Sequence, residues 1–235
     1  MPRLGGRKLY YLLHDRLKVA GIKLGRDGFF ALLRQRRLLV PPKRSYIKTT
    51  YSKHWMRKHP NLLKGLAVER VEQVFVADIT YVESGEGVHY LSLVTDACSR
   101  KIMGWHLSRE MKASDTVQAL KMAVKNRVTT GALIHHSDRG LQYCSKLYQE
   151  ELNKAKIEPS MTDGYDCYQN ALAERINGIL KMEYLLYKPP GFDDLECMVK
   201  QSVKIYNELR PHTSLDLQTP ESAHRKASSE ELADR

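Results

Sequence analysis

Three carboxylates in this chain stand where a carboxylate is either costly or well placed for chemistry. Asp78 lies in the middle of the run VFVADITYV, Val74 to Val82, whose β-branched and aromatic residues read as a buried strand. A charge there is expensive unless it is paired or binds a metal. Asp138 follows the apolar run Ala132 to His136 and so stands at a strand's carboxyl end, where site residues of α/β sheets gather. Glu174 falls on a helix read over Gln169 to Tyr184, on one face with Asn170, Gly178 and Lys181. Singly, each has an ordinary reading: an edge-strand Asp facing water, a turn Asp before Gly, a solvated helix face. As a set, with 59 residues between the first pair and 35 between the second, they describe an oxygen-rich cage suited to Mg²⁺ or Mn²⁺. Two such ions can activate a water or a 3′-hydroxyl and stabilise the leaving oxygen of an in-line displacement at phosphorus. The chemistry expected is on phosphodiesters, with Lys181 holding DNA phosphates in register.

The elements that must position these residues follow from periodicity. Val74 to Val82, His89 to Ala97 and Lys101 to Leu107 are three strands with short gaps, which predicts an antiparallel meander. A helix over Ser114 to Val128, capped by Ser114, leads to a strand at Ala132 to His136. A helix over Ser145 to Ala155, a short strand at Ile157 to Met161 and helices over Gln169 to Tyr184 and Asp193 to Leu209 complete the pattern. Strands first, then alternating helix and strand, make a mixed sheet with helices packed on it.

Charge divides the chain in two. Residues 1–68 carry 17 basic against two acidic residues, a net +15, whereas the rest carries 21 against 25, a net −4, within an overall +11. The basic region has helical apolar periodicity over Arg7 to Val19 and again over Phe29 to Leu39, before Pro41-Pro42. Helix, turn and basic helix is the pattern of a helix-turn-helix DNA reader, although many helical hairpins share it. Arg34, Arg36, Arg37, Lys43 and Arg44 are its candidate DNA contacts. The expected organisation is a DNA-binding segment over 1–45, a basic linker over 46–70, a catalytic core over 71–225 and a disordered tail over 226–235.

Other classes are poorly supported. The longest apolar runs are five residues, too short to span a membrane. Four widely spaced cysteines without a CxxC pair give no zinc or disulfide framework. The amino terminus lacks the apolar stretch of a signal peptide, so residence in the cytoplasm, on the nucleoid, is expected.

Five ordered strings carry a resemblance: DITYV around Asp78, VTDACSRKIMGW from Val94, HSDRGLQYCS from His136, NALAERINGILKMEY from Asn170 and YNELRPHTSLDLQTP from Tyr206 to Pro220. Together they resemble the catalytic core shared by retroviral integrases and DDE transposases, most specifically the OrfB-type transposases of the bacterial IS-three family. The resemblance implies an α/β, RNase H-like fold behind a small helical segment, with Asp78, Asp138 and Glu174 as the metal-binding triad of two divalent ions. It also implies DNA cleavage and strand transfer at the ends of a mobile element, by a homo-oligomer in a synaptic complex. His136, Asn170 and Asp96 are candidates for groups that support the triad. Phe75 replaces a usual Trp, and Gln169 a common Asp. Met1 opens close to the helical segment, so a partner OrfA-type product, or a frameshift fusion with it, is expected. Two alternatives stand beside this reading: a catalytically idle DNA-binding regulator derived from a transposase, and a ribonuclease of the same fold.

Overall fold

Val74–Ser84 (β1), Gly87–Asp96 (β2) and Ile102–Ser108 (β3) form the antiparallel meander in a computed structural model that describes residues 3–40, 55–163 and 170–233. Ile134–Ser137 (β4) lies parallel to β1, and Glu158–Met161 (β5) parallel to β4, so the sheet order is β3-β2-β1-β4-β5. The helices are Gly6–Val19 (α1), Arg26–Gln35 (α2), Ala113–Lys125 (α3), Leu141–Cys144 (α4), Lys146–Lys154 (α5), Ala171–Ile179 (α6), Phe192–Leu209 (α7) and Pro220–Ala233 (α8).

The period of two along β1 sorts its side chains onto two cores. Phe75 and Ala77 point to one face, where they meet Val117, Leu120 and Ala123 of α3 and Tyr148 and Leu152 of α5. Val82 points to the other, with Leu91 and Leu93 of β2, against Ile176 of α6 and Leu195, Val199 and Val203 of α7. Full burial of Phe75 and Leu91 contributes about 1.5–3 kcal/mol apiece. Asp78 therefore points to the α6 side. In β3 a Cβ on Gly104 would collide with the Ala119 carbonyl and stand 2.6 Å from the Ala123 nitrogen, so α3 can lie this close to the sheet only over glycine.

Three of the boundaries that differ from the sequence reading have a clear local cause. The helix α2 begins at Arg26 and stops at Gln35 because Arg37 takes a left-handed φ of 54°. Leu38 N–H then donates to Leu33 O and Arg37 N–H to Arg34 O, the bonding of a Schellman cap. The helix α3 starts one residue before Ser114: Asp115 Oδ2 accepts from the Lys112 N–H, and Ser114 lies inside the first turn. The segment expected as a disordered tail is helical through Ala233. Its start carries a signal the sequence reading passed over, since Thr219 Oγ1 caps the Ser222 N–H and Pro220 occupies the first helical position.

A buried polar network fastens α8 to the sheet. Glu72, fully buried, accepts from the Val128 N–H and from both N–H and hydroxyl of Thr129 at 2.7–2.8 Å. Asp96, also fully buried, accepts from the Glu72 N–H and from both N–H and hydroxyl of Ser99. The His224 ring of α8 sits between the two acids, with Nε2 3.3 Å from Glu72 and Nδ1 3.7 Å from Asp96. Burial alone would raise the Glu72 carboxyl, but the bonds from His224, Val128 and Thr129 outweigh it and hold it at about 2. His224 is pushed up, because its two carboxylate partners outweigh its burial.

Candidate active site

The pairing of β1 with β4 ends at Val76 and His136, while β1 runs on to Ser84 beside β2. Past that point the two parallel strands part, and the notch between their carboxyl ends is where Asp78 and Asp138 stand. Both are two residues beyond the last paired positions, on the same face. Asp138 opens the turn to α4, and its Oδ1 accepts the Gly140 N–H at 2.9 Å. A Cβ on Gly140 would come within 2.9 Å of that oxygen, which accounts for glycine in the Asp-Arg-Gly string.

The third carboxylate arrives on α6. Ala173, Ile176 and Leu180 are buried at helical spacing against the sheet, which turns Asn177 toward β1 and leaves Glu174 exposed one turn before it. Three side chains then fasten this helix across the strand. Asn170 Nδ2 donates to the Ala77 carbonyl at 3.1 Å, Asn177 Nδ2 to Asp78 Oδ2 at 2.8 Å, and Lys181 Nζ to Thr80 Oγ1 at 3.4 Å. Asp78 Oδ1 accepts from the Ile79 N–H at 2.9 Å.

Electrostatics ties the three acids together. The Asp78 carboxyl is pushed up to about 7, first by burial and then by the negative charge of Asp138, with Glu174 adding to it. The bonds from Asn177 and Ile79 pull the other way and do not offset this. Tyr143, in the turn after Asp138, is buried beneath; burial first, then Tyr148, Asp78 and Asp138, push its phenol up. Among the described residues no three His, Cys, Asp or Glu side chains are drawn together tightly enough to hold an ion. The donor set nonetheless suits a hard divalent ion: it consists of carboxylate oxygens, and the strong proton affinity of Asp78 marks a place where positive charge is favoured.

The supporting candidates fare differently. Asn170 is brought to the residue before Asp78. His136 is fully buried on β4, and its Nδ1 bonds Ser160 Oγ at 2.8 Å on β5. Asp96 pairs with Phe75, three positions before the Asp78–Leu93 pair, toward the amino end of β1. The structure does not bring it to the other acids; its place is the Glu72–Ser99–His224 network. Arg34, Arg36 and Arg37 are exposed on α2 and its cap, whereas Lys43 and Arg44 lie outside the described residues. The helices α1 and α2 pack through Tyr10 and Phe29, whose ring centroids are 5.4 Å apart, and through the Tyr10 hydroxyl, which donates to Leu24 O.

Asn177 and Thr80 are site residues that sequence reasoning missed. The signal for Asn177 was its place one turn after Glu174 and two turns after Asn170.

Comparison with known proteins bears on the family and the fold. An integrase core domain family matches residues 68–167, and a second integrase core domain family matches residues 155–220. The chain is 35% identical over 217 residues to an uncharacterised 31 kDa protein of insertion element IS600 from Shigella sonnei, covering 91% of this chain and 80% of that one. It is 31% identical to the transposase InsF of insertion sequence IS3A from Escherichia coli K12, covering 91% and 75%. A transposase of insertion sequence IS986/IS6110 from Mycobacterium tuberculosis is 38% identical over 59% of this chain, which spans only 52% of that relative. In structure, the HTLV-2 integrase catalytic core in complex with magnesium aligns with a TM-score of 0.53 at 20% identity, covering 65% of this chain and 96% of that one. A simian T-cell lymphotropic virus intasome chain aligns with a TM-score of 0.58 at 17% identity, covering 94% and 74%. The fold is thus that of the RNase H-like integrase cores.

Proposed function

The chain belongs to the IS3-type insertion-sequence transposases with an integrase core, and we propose that Asp78, Asp138 and Glu174 are its catalytic, metal-holding carboxylates. The observation that carries this reading is geometric: Asp78 on β1 and Asp138 just past β4 stand beyond the last paired positions of two adjacent parallel strands, and α6, which bears Glu174, is tied to Asp78 by Asn177. The reaction is DDE transposition: attack on DNA phosphorus first by water, which frees a 3′-hydroxyl, then by that hydroxyl on a second strand. Two Mg²⁺ or Mn²⁺ ions, when bound, would supply Lewis acidity and offset the charge of the three acids. Each protein group has a separate task. Asp78 and Asp138, fixed on adjacent strands, set the position of the ligand oxygens, and Glu174 closes the set from α6. Asn177 holds Asp78 Oδ2 in one orientation. Lys181, reaching Thr80 two residues beyond Asp78, holds a DNA phosphate beside the scissile bond.

The basic region supplies the rest of the DNA contact. Arg34, Arg36 and Arg37, with Lys43 and Arg44, bind the element ends, and a multimer brings two ends together. An OrfA-type upstream product, free or fused, is the partner that completes recognition. The protein acts on nucleoid DNA in the cytoplasm; among the described residues no helix is long and apolar enough to cross a membrane.

The test uses labelled duplexes carrying the element's terminal repeats, with the chain supplied alone and fused to its upstream frame. Divalent-ion-dependent nicking at the repeat end and joined product are the expected result. Absence of cleavage by either form in Mn²⁺, with DNA binding retained, overturns it and favours the regulator; cleavage of RNA–DNA hybrids in place of terminal repeats favours the ribonuclease.

A further inference from the structure

The string YNELRPHTSL, Tyr206 to Leu215, is well separated in sequence from the triad, and nothing in the chemistry above uses it. The structure gives it work at the end of the catalytic helix. After Ile179 the helix α6 opens into a π-helical turn, Leu180–Tyr184, closed by Leu185 N–H donating to Leu180 O at 2.9 Å. Such wide turns are rare and are kept where side chains must be re-aimed, often at functional sites. Here the turn sends Leu180 and Tyr184 into the core, Lys181 to Thr80 on β1, and Glu183 to the opposite side.

Arg210 meets Glu183 there. Its Nε donates to Oε2 at 2.7 Å and a terminal nitrogen donates to Oε1 at 2.6 Å, a two-pronged pair, while Arg210 is only 2% exposed. The remaining nitrogen lies 3.0 Å from His212 Nε2. Burial first and the Arg210 charge second hold His212 at about 3, so its ring is neutral and Nε2 accepts. The other residues of the string anchor Arg210 to the sheet. The Tyr206 hydroxyl donates to Arg100 O at 3.0 Å, and its ring packs on that of His212. The Asn207 amide exchanges two bonds with the Ile102 backbone on β3. A buried ion pair contributes little net stability compared with apolar packing, so its value lies in fixing one geometry.

On the footing of the transposase reading above, we propose that Arg210 is a positioning residue for Lys181: through Glu183 it braces the wide turn against β3 and thereby sets where the Lys181 amine meets a DNA phosphate. The brace is a closed path from β3 through Asn207, Arg210, Glu183 and Lys181 to Thr80 on β1. Lysine at position 210 would keep the charge and lose the fork.

A double-mutant cycle tests this, using affinity for terminal-repeat DNA measured by fluorescence anisotropy without divalent ion over a range of salt. Arg210→Lys is expected to weaken binding about 5- to 10-fold and to lower the salt slope by about one, as Lys181→Ala does. In the Lys181→Ala background Arg210→Lys is expected to change neither quantity. Independent, multiplicative effects overturn the proposal, as does an unchanged salt slope in Arg210→Lys. If Arg210→Lys lacks a cooperative melting transition, Glu183→Gln replaces it in the same cycle with the same expectations. Since the cycle needs no catalysis, its failure is separable from failure of the metal-site reading, which the cleavage assay decides.

Discussion

Asp78→Asn, Asp138→Asn and Glu174→Gln are each expected to lower divalent-ion-dependent cleavage and strand transfer by about 10³-fold or more, with affinity for terminal-repeat DNA unchanged. The substitutions are isosteric, so the backbone pairing that places each residue is kept. At position 78 the amide oxygen can still accept from Asn177, giving up the bond from the Ile79 N–H, so the helix stays docked while the charge is lost. The acids act as a unit, so double variants should be no worse than singles, as with other catalytic sets. Asp96→Asn separates this account from a general need for buried acids. Asp96 accepts three hydrogen bonds from Glu72 and Ser99 three pairs along the β1–β2 ladder from Asp78, so its loss should lower stability and spare the rate of the folded fraction. Retained activity in any one triad variant removes that residue from the assignment.

The metal-free protein should be made less stable by its own active site. Asp78 has a folded-state value near 7 against 3.8 for a free side chain, so its contribution is fully present below pH 3.8 and is lost as pH rises through about 7. Above that, the ionised carboxyl stands half-buried near Asp138 and Glu174 at a cost of about 2–4 kcal/mol. Asp78→Asn should therefore raise the melting temperature of the metal-free protein at pH ~8 by roughly 5–10 °C, with little change near pH ~4. Saturating Mg²⁺ or Mn²⁺ should stabilise the wild type at pH ~8 and leave Asp78→Asn almost unmoved. Thermal unfolding across pH, with and without the ion, reads both effects. A lower melting temperature for Asp78→Asn at pH ~8, as for an ordinary buried polar substitution, contradicts the account.

How much of this was legible in the sequence depends on the range of the interaction. The β-branched and aromatic run Val74 to Val82 gave β1 and the misplaced charge of Asp78, because strand composition is local; the face of Asp78 came from packing. The apolar run Ala132 to His136 gave a strand with Asp138 at its carboxyl end, but its parallel pairing with β1 was not legible. Glu174 could be placed on a helix face by spacing alone, but which neighbour would reach Asp78 could not. Spacing puts Gly178 at i+4 on the face of Glu174, whereas Asn177 at i+3 makes the bond to Asp78, a choice that only packing against β1 decides. The pair of Arg210 and Glu183 spans two helices, and no local pattern announces it. The end of α2 was missed for a different reason: arginine at position 37 adopts a left-handed backbone, a role usually signalled by glycine. The Thr219-Pro220 start of α8 was legible and was passed over for the polar composition that follows. The +15 of residues 1–68 remains a statement about charge, with Arg34, Arg36 and Arg37 exposed as a DNA contact requires.

The central claim is that three carboxylates from two strands and a helix jointly hold divalent metal. Diffraction data collected at the manganese absorption edge, from crystals of the protein grown with Mn²⁺, test it most directly. The account predicts anomalous density in the notch between β1 and β4, within ligand distance of Asp78, Asp138 and Glu174 and absent from crystals of Asp78→Asn. Saturating Mn²⁺ that leaves this notch without anomalous density, or that binds only elsewhere on the chain, would contradict it.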